Sequence, residues 1–229
     1  MILDAPLISA HDLLTTPLPP ITWDVEPLIS RGDRVVVFGE FGSFKSWVLI
    51  HLAWHLAAGV TWLSTFPVPE SRHVLYVDEE MNERTLRRRG QRVARGAGIT
   101  VAPHLKFLSR AGVRFDAYGA GTLLSYLKEQ SFSPDLIIVE ALRRVLIGNE
   151  NEASDVAQFW RNLEPISRRG TTVIISHHMN KPPVEGKRSA RHRASGSTDI
   201  LAGSDASFAI ERMTPDTARI TGIKARDDV

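Results

Sequence analysis

Residues 34–59, RVVVFGEFGSFKSWVLIHLAWHLAAG, constrain the fold more than any other part of the chain. Val35, Val36, Val37 and Phe38 form a short continuous apolar run, the pattern of a strand buried on both faces. Gly39 opens a turn. From Lys45 and Ser46 onward, Trp47, Val48, Leu49, Leu52, Ala53, Leu56 and Ala57 follow a helical period that stops at Gly59. Strand, glycine-containing turn, Lys-Ser and helix, in that order, describe a phosphate-binding loop. Its predicted cradle is the backbone of Gly39, Glu40, Phe41, Gly42, Ser43 and Phe44, continued by Lys45, Ser46 and Trp47 at the positive end of the helix dipole. Lys45 would neutralise the anion and Ser46 would hold Mg²⁺, so the expected cofactors are ATP or ADP with Mg²⁺. The fit to G-x-x-x-x-G-K-[ST] departs at one place. Phe44 stands before Lys45 where glycine is usual, and Gly42 comes two residues earlier. A Cβ there is expected to limit how closely the backbone wraps a β-phosphate.

Composition narrows the setting. The 229 residues are 43% hydrophobic, enough for one large domain with a substantial core. A formal charge of +2 does not by itself predict nucleic-acid binding, so local charge has to be read instead. The absence of cysteine excludes disulfides and Cys-based zinc or redox chemistry, and suits a reducing cytosol. No apolar run approaches a membrane span, and residues 1–4 lack the basic start of a signal peptide. A cytoplasmic protein without a membrane partner is expected.

Residues 1–33, with Pro17, Pro19, Pro20 and Pro27, read as an N-terminal arm lying across the domain or a neighbouring subunit. Residues 34–229 read as one ATPase domain. Within it, a second buried strand is expected at 73–77, a short strand at 105–108 and further strands at 136–140 and 171–176, with helices at 82–96, 121–130 and 153–169. The helix at 82–96 is rich in arginine (Arg84, Arg87, Arg88, Arg89, Arg92 and Arg95), which reads as a solvent face. Residues 141–151 read as a loop, 179–198 as a long exposed basic loop, and 206–210 and 218–223 as two final strands.

Strands alternating with helices predict an α/β fold whose mostly parallel twisted sheet is flanked by helices. Ligands in such sheets bind beyond the carboxyl ends of the strands. Gly39, Glu80, Glu140 and His177 all fall at such ends, so four separate placements converge on one edge.

The ordered set GEFGSFKSW, VLYVDEEM, DLIIVEAL, IISHH, ASGSTDILAGSDA and IKAR resembles the RecA-type hexameric NTPases, and most closely the RepA-like replicative helicases of plasmids and phages. The resemblance covers roughly residues 20–226 and implies a RecA-like P-loop fold. It also implies roles. Glu80, flanked by Asp78 and Glu79, matches the acid that activates the attacking water; the alternative is an acidic turn capping the next helix. Glu140 stands where an aspartate linked to Mg²⁺ is usual and is one methylene longer; the alternative is a carboxylate merely bonded to the P-loop. His177 or His178 would sense the γ-phosphate, or serve structure alone. Lys181, Lys187, Arg188, Arg191 and Arg193 would touch the phosphates of single-stranded DNA, or form a solvated loop. Lys224 and Arg226 would reach into a neighbour's site as a trans-acting finger, or be a soluble tail. No further domain is expected beyond Arg226.

The resemblance therefore implies a homo-oligomer, a hexameric ring that hydrolyses ATP to move on single-stranded DNA. A second reading is an ATP-switched replication or recombination factor that regulates assembly without unwinding, which the departures at Phe44 and Glu140 would suit. A small-molecule kinase is the weakest, since no acceptor-binding domain or lid is evident.

Overall fold

The computed structural model describes residues 7–178 and 199–225. A short helix α1 (Ala10–Thr15) leads to a two-stranded hairpin, β1 (Trp23–Val25) and β2 (Ile29–Ser30). The main sheet begins at β3 (Arg34–Gly39), followed by helix α2 (Lys45–Ala58) and β4 (Val74–Asp78). Next come α3 (Glu83–Ala97), β5 (Leu105–Ser109), α4 (Gly119–Glu129) and β6 (Leu136–Glu140). The one-turn helix α5 (Leu142–Val145) interrupts the stretch expected to be loop. Then follow α6 (Ala153–Ser167), β7 (Thr172–His178), α7 (Asp199–Ala202), β8 (Ala206–Arg212) and β9 (Ala218–Lys224).

The seven strands lie in the order β5-β4-β6-β7-β3-β8-β9, all pairs parallel except the antiparallel β8–β9 edge. This is the α/β sheet that the alternation of strands and helices predicts. Its two faces follow from the period of two along each strand. Val36, Phe38, Leu75, Val77, Ile137 and Val139 face one core, with α4, α5 and α6. Val35, Val37, Val74, Tyr76, Leu136 and Ile138 face the other, with α2, α3 and the hairpin. Because both faces are covered, the strands read as unbroken apolar runs.

The hairpin is part of this packing. Val25 and Ile29 are buried in the α2-side core, so this part of the N-terminal segment packs against the main sheet. Asp24, fully buried, meets Arg72 Nε at 2.8 Å and accepts from Thr172 Oγ1 at 2.5 Å. Burial pushes the Asp24 carboxyl above its usual range, although Thr172 and Arg72 pull it back. Before Trp23 the chain packs little: Leu7, Leu13, Leu14 and Leu18 are exposed. Among the described residues no helix is long and apolar enough to cross a membrane.

Candidate nucleotide and catalytic site

Parallel register gathers the site. Gly39 pairs with His178, and Asp78 with Glu140, so the ends of β3, β7, β4 and β6 meet along one edge. Counting by two, Glu140 lies on the same face as Ile138 and Leu136, which is the face covered by α2. That is why a side chain in the first turn of α2 can reach it.

The loop between β3 and α2 is tight. A Cβ on Gly39 would stand 2.3 Å from the Ile210 carbonyl oxygen and 2.6 Å from Ser43 Oγ, so only glycine lets β8 and the loop approach here. Phe44 immediately precedes α2 with φ 72° and ψ 14°, the left-handed conformation. The glycine preference at this position is thus real, and a side chain there costs roughly 1–2 kcal/mol. Its ring is engaged from outside the loop, where the Arg212 guanidinium lies 4.8 Å from the centroid. Gly59 closes α2 in the left-handed conformation expected of a helix stop.

Lys45 is 7% exposed, and its Nζ donates to the carbonyls of Gly39 (2.8 Å) and Glu40 (2.9 Å). Two of the three ammonium donors thus hold the cation inside the loop. Burial lowers its pKa, opposed by Glu140, Glu80 and Glu40. Ser46 Oγ donates to Glu140 Oε1 at 2.6 Å. Glu140, 3% exposed, also accepts a very short hydrogen bond at Oε2 from the hydroxyl of Tyr76, itself fully buried. Burial pushes the Glu140 carboxyl up to about 7, even though both hydroxyls favour its charge. A serine hydroxyl backed by a carboxylate fits the hard-oxygen preference of Mg²⁺. Among the described residues no cluster of three or more His, Asp or Glu could hold a metal by itself, so such a cation would take its remaining ligands from phosphate and water.

The three acids of D-E-E separate cleanly. Asp78 Oδ1 accepts from the backbone N–H groups of Glu80 (2.9 Å) and Met81 (2.7 Å), and so builds the turn. Glu79 accepts from Gly112 and Val113 N–H at 3.1 and 2.9 Å, tying the turn to the loop after β5. Glu80 turns its carboxylate toward His178 and Arg144, while Asp78 keeps Oδ2 buried without a hydrogen-bond partner at the same strand end as Glu140. His178 Nε2 lies 3.7 Å and Arg144 Nε 3.9 Å from Glu80 Oε1. His178 foremost, with Arg144 and Lys45, holds the Glu80 carboxyl below its usual range against the effect of burial. Arg110 donates to the Glu80 carbonyl from Nε at 3.0 Å and from its terminal nitrogen at 2.6 Å, fixing the backbone.

The histidine pair also separates. His177 is fully buried, on the face away from α2, while His178 shares the face and edge of the P-loop. Lys224 Nζ donates to the carbonyls of Leu201 (2.9 Å), Ala202 (3.1 Å) and Ser204 (2.5 Å), so within one protomer it closes the end of α7 and does not enter the P-loop. Arg226 and the candidate DNA contacts Lys181, Lys187, Arg188, Arg191 and Arg193 lie outside the described residues. Tyr76 and Arg144 join the site without having been singled out in the sequence. Tyr76 reads there as one more apolar strand residue, and its only signal is its place two residues before Asp78 on the same face. Arg144 gives no sequence signal.

A phosphate loop opening from a mostly parallel sheet, with carboxylates at the ends of two further strands, defines a RecA-like P-loop nucleoside triphosphatase. Residues 3–184 match the AAA domain family, and the chain belongs to it. No curated protein matches the chain. Among solved structures it is similar to a KaiC-like protein of the hyperthermophilic archaeon Pyrococcus horikoshii OT3. The TM-score is 0.55 at 12% identity, over 89% of this chain and 84% of the other. That likeness is one of fold.

Proposed function

We propose that the chain is a ring-forming ATPase of the cytoplasm that moves on single-stranded DNA, as a RepA-like replicative helicase of a plasmid or phage. In this reading Lys45 and the loop 39–47 hold the triphosphate, and Ser46 and Glu140 hold Mg²⁺. The metal would offset charge on the phosphates. Glu80 orients and deprotonates the attacking water. Arg226, with Lys224, completes the neighbour's site, which makes hydrolysis depend on assembly, most simply as a hexamer.

One observation supports coupling to DNA above the others. His178 sits 3.7 Å from Glu80 and is the last described residue before the basic stretch 179–198. A change at the γ-phosphate end of the site therefore has a direct covalent route into the residues read as the DNA contacts. The motif order of the sequence supports the same reading.

The test combines three measurements on the full chain: ATPase rate with and without single-stranded DNA, particle mass with nucleotide, and displacement of a strand from a forked duplex. Stimulation, a ring mass and ATP-dependent displacement are expected. DNA-independent turnover by a monomer would overturn the reading. ATP-dependent binding of DNA or of a replication or recombination protein without displacement would favour the switch, which the left-handed Phe44 and the long Glu140 would suit.

A further inference from the structure

Arg84, Arg88, Arg92 and Arg95 of α3 play no part in the site above, and their arrangement is not that of an ordinary solvated helix. Arg84, Arg88, Arg92 and Arg95 are all exposed. At 3.6 residues per turn they fall within an arc of about 80°, opposite the buried Leu86, Gly90 and Val93. Among the described residues, no carboxylate pairs with Arg84, Arg88 or Arg92. The remaining arginines are engaged: Arg87 meets Glu83 at 2.5 Å, Arg89 lies 5.2 Å from the Trp47 ring centroid, and Arg95 donates from Nε to the Gln91 carbonyl at 3.2 Å. By contrast, Arg168, just past the end of α6, pairs with Glu164 at 3.0 Å.

Like charges four residues apart oppose helix formation, so this stripe works against its own element until an anion meets it. At 1.5 Å per residue the attachment points of Arg84, Arg88 and Arg92 follow one another about 6 Å apart along the axis, with Arg95 about 4.5 Å further on. The longer interval is close to the step between phosphates of an extended strand. A small or isolated anion would use one or two of these groups; a phosphate backbone would use the whole row.

We propose that the outward face of α3 is a binding surface for the phosphate backbone of single-stranded nucleic acid, made by Arg84, Arg88, Arg92 and Arg95. The inference rests on the nucleic-acid reading above but not on residues 179–198. No aromatic side chain lies within the row, so contact is with the backbone and without sequence preference. The surface is also connected to the site. α3 starts three residues after Glu80, and Arg89 on its flank stacks on Trp47, the neighbour of Ser46. A strand held on α3 thus bears on both the catalytic turn and the phosphate loop.

The decisive experiment replaces three exposed residues together, Arg84→Glu, Arg88→Glu and Arg92→Glu, in the full chain. Binding of a fluorescent oligo(dT) is followed by anisotropy at several salt concentrations, alongside melting temperature and basal ATPase rate. Melting and basal rate should be unchanged. Affinity should fall at least ~10-fold, and the slope of log affinity against log salt should shrink by about 2, at about 0.7 for each phosphate no longer neutralised. An unchanged affinity and slope, with wild type binding normally, would overturn this surface and leave the motor reading standing. Failure of the wild type to bind oligo(dT) would remove both. Loss of poly-glutamate binding with oligo(dT) binding intact would replace the nucleic acid by an acidic protein partner, and so overturn the proposal.

Discussion

The hydroxyl of Tyr76 on β4 donates to Oε2 of Glu140 on β6, leaving Oε1 for Ser46. The register Tyr76↔Ile138 and Asp78↔Glu140 puts both side chains on the α2 face, one diagonal apart. The tyrosine takes one oxygen of a carboxylate that is a methylene longer than aspartate and so fixes where the other oxygen points. Tyr76→Phe keeps the ring and removes only this bond. The Mg²⁺ concentration needed for nucleotide binding should rise by ~10-fold or more, the scale seen when a group that orients a metal ligand is removed. Titrating Mg²⁺ against a fluorescent ADP analogue measures it, and an unchanged midpoint would show that Ser46 alone orients Glu140.

Lys45 and Glu80 are expected to separate binding from chemistry. Lys45→Ala removes the buried cation of the loop, and nucleotide binding should be lost. Glu80→Gln keeps the shape of the side chain and should retain binding, while turnover falls by ~100-fold or more. Binding by calorimetry and single-turnover hydrolysis give the two readings. Wild-type turnover in Glu80→Gln would reassign the base.

Phe44 holds a conformation that suits glycine. Phe44→Gly relieves the left-handed strain but gives up the cation–π interaction with Arg212 and the low unfolded-state entropy of a bulky residue. These nearly offset, so the melting temperature should move by only a few degrees. Nucleotide should bind several-fold tighter, because the loop can close on the phosphates without a Cβ. Weaker binding by fluorescence titration would mean that the Phe44 ring itself contacts the ligand.

Glu140 makes ligand-free stability depend on pH in a defined direction. Its carboxyl titrates at about 7 in the folded chain against 4.5 for the free group. The folded state therefore binds the extra proton between these values, and stability from this group is present below pH 4.5 and lost as pH rises through about 7. The full effect is of order 3 kcal/mol. Asp24 and Asp78 are raised in the same direction, so the comparison must be with Glu140→Gln. Denaturation curves across the interval from about pH 4.5 to about pH 8 should show a shallower decline in the variant. Parallel curves would mean that Glu140 is already ionised at low pH.

The sequence by itself determined the α/β fold, the β3-loop-α2 phosphate cradle and the edge at which the site forms. These are local properties: unbroken apolar runs, a helical period, and Gly39 and Gly59 at turns. It also marked Phe44 as the exception, because a φ requirement belongs to a single residue. Tertiary structure decided which of several like side chains does what. Among Asp78, Glu79 and Glu80, only strand register and the turn show that Asp78 Oδ1 and both oxygens of Glu79 are taken by backbone N–H groups. Of His177 and His178, alternation across a strand turns one into the core and the other toward Glu80. Tyr76 and Glu140 are 64 residues apart and meet only because β4 and β6 are neighbours. Partnership across a sheet depends on strand order and register, and no spacing along one chain encodes either.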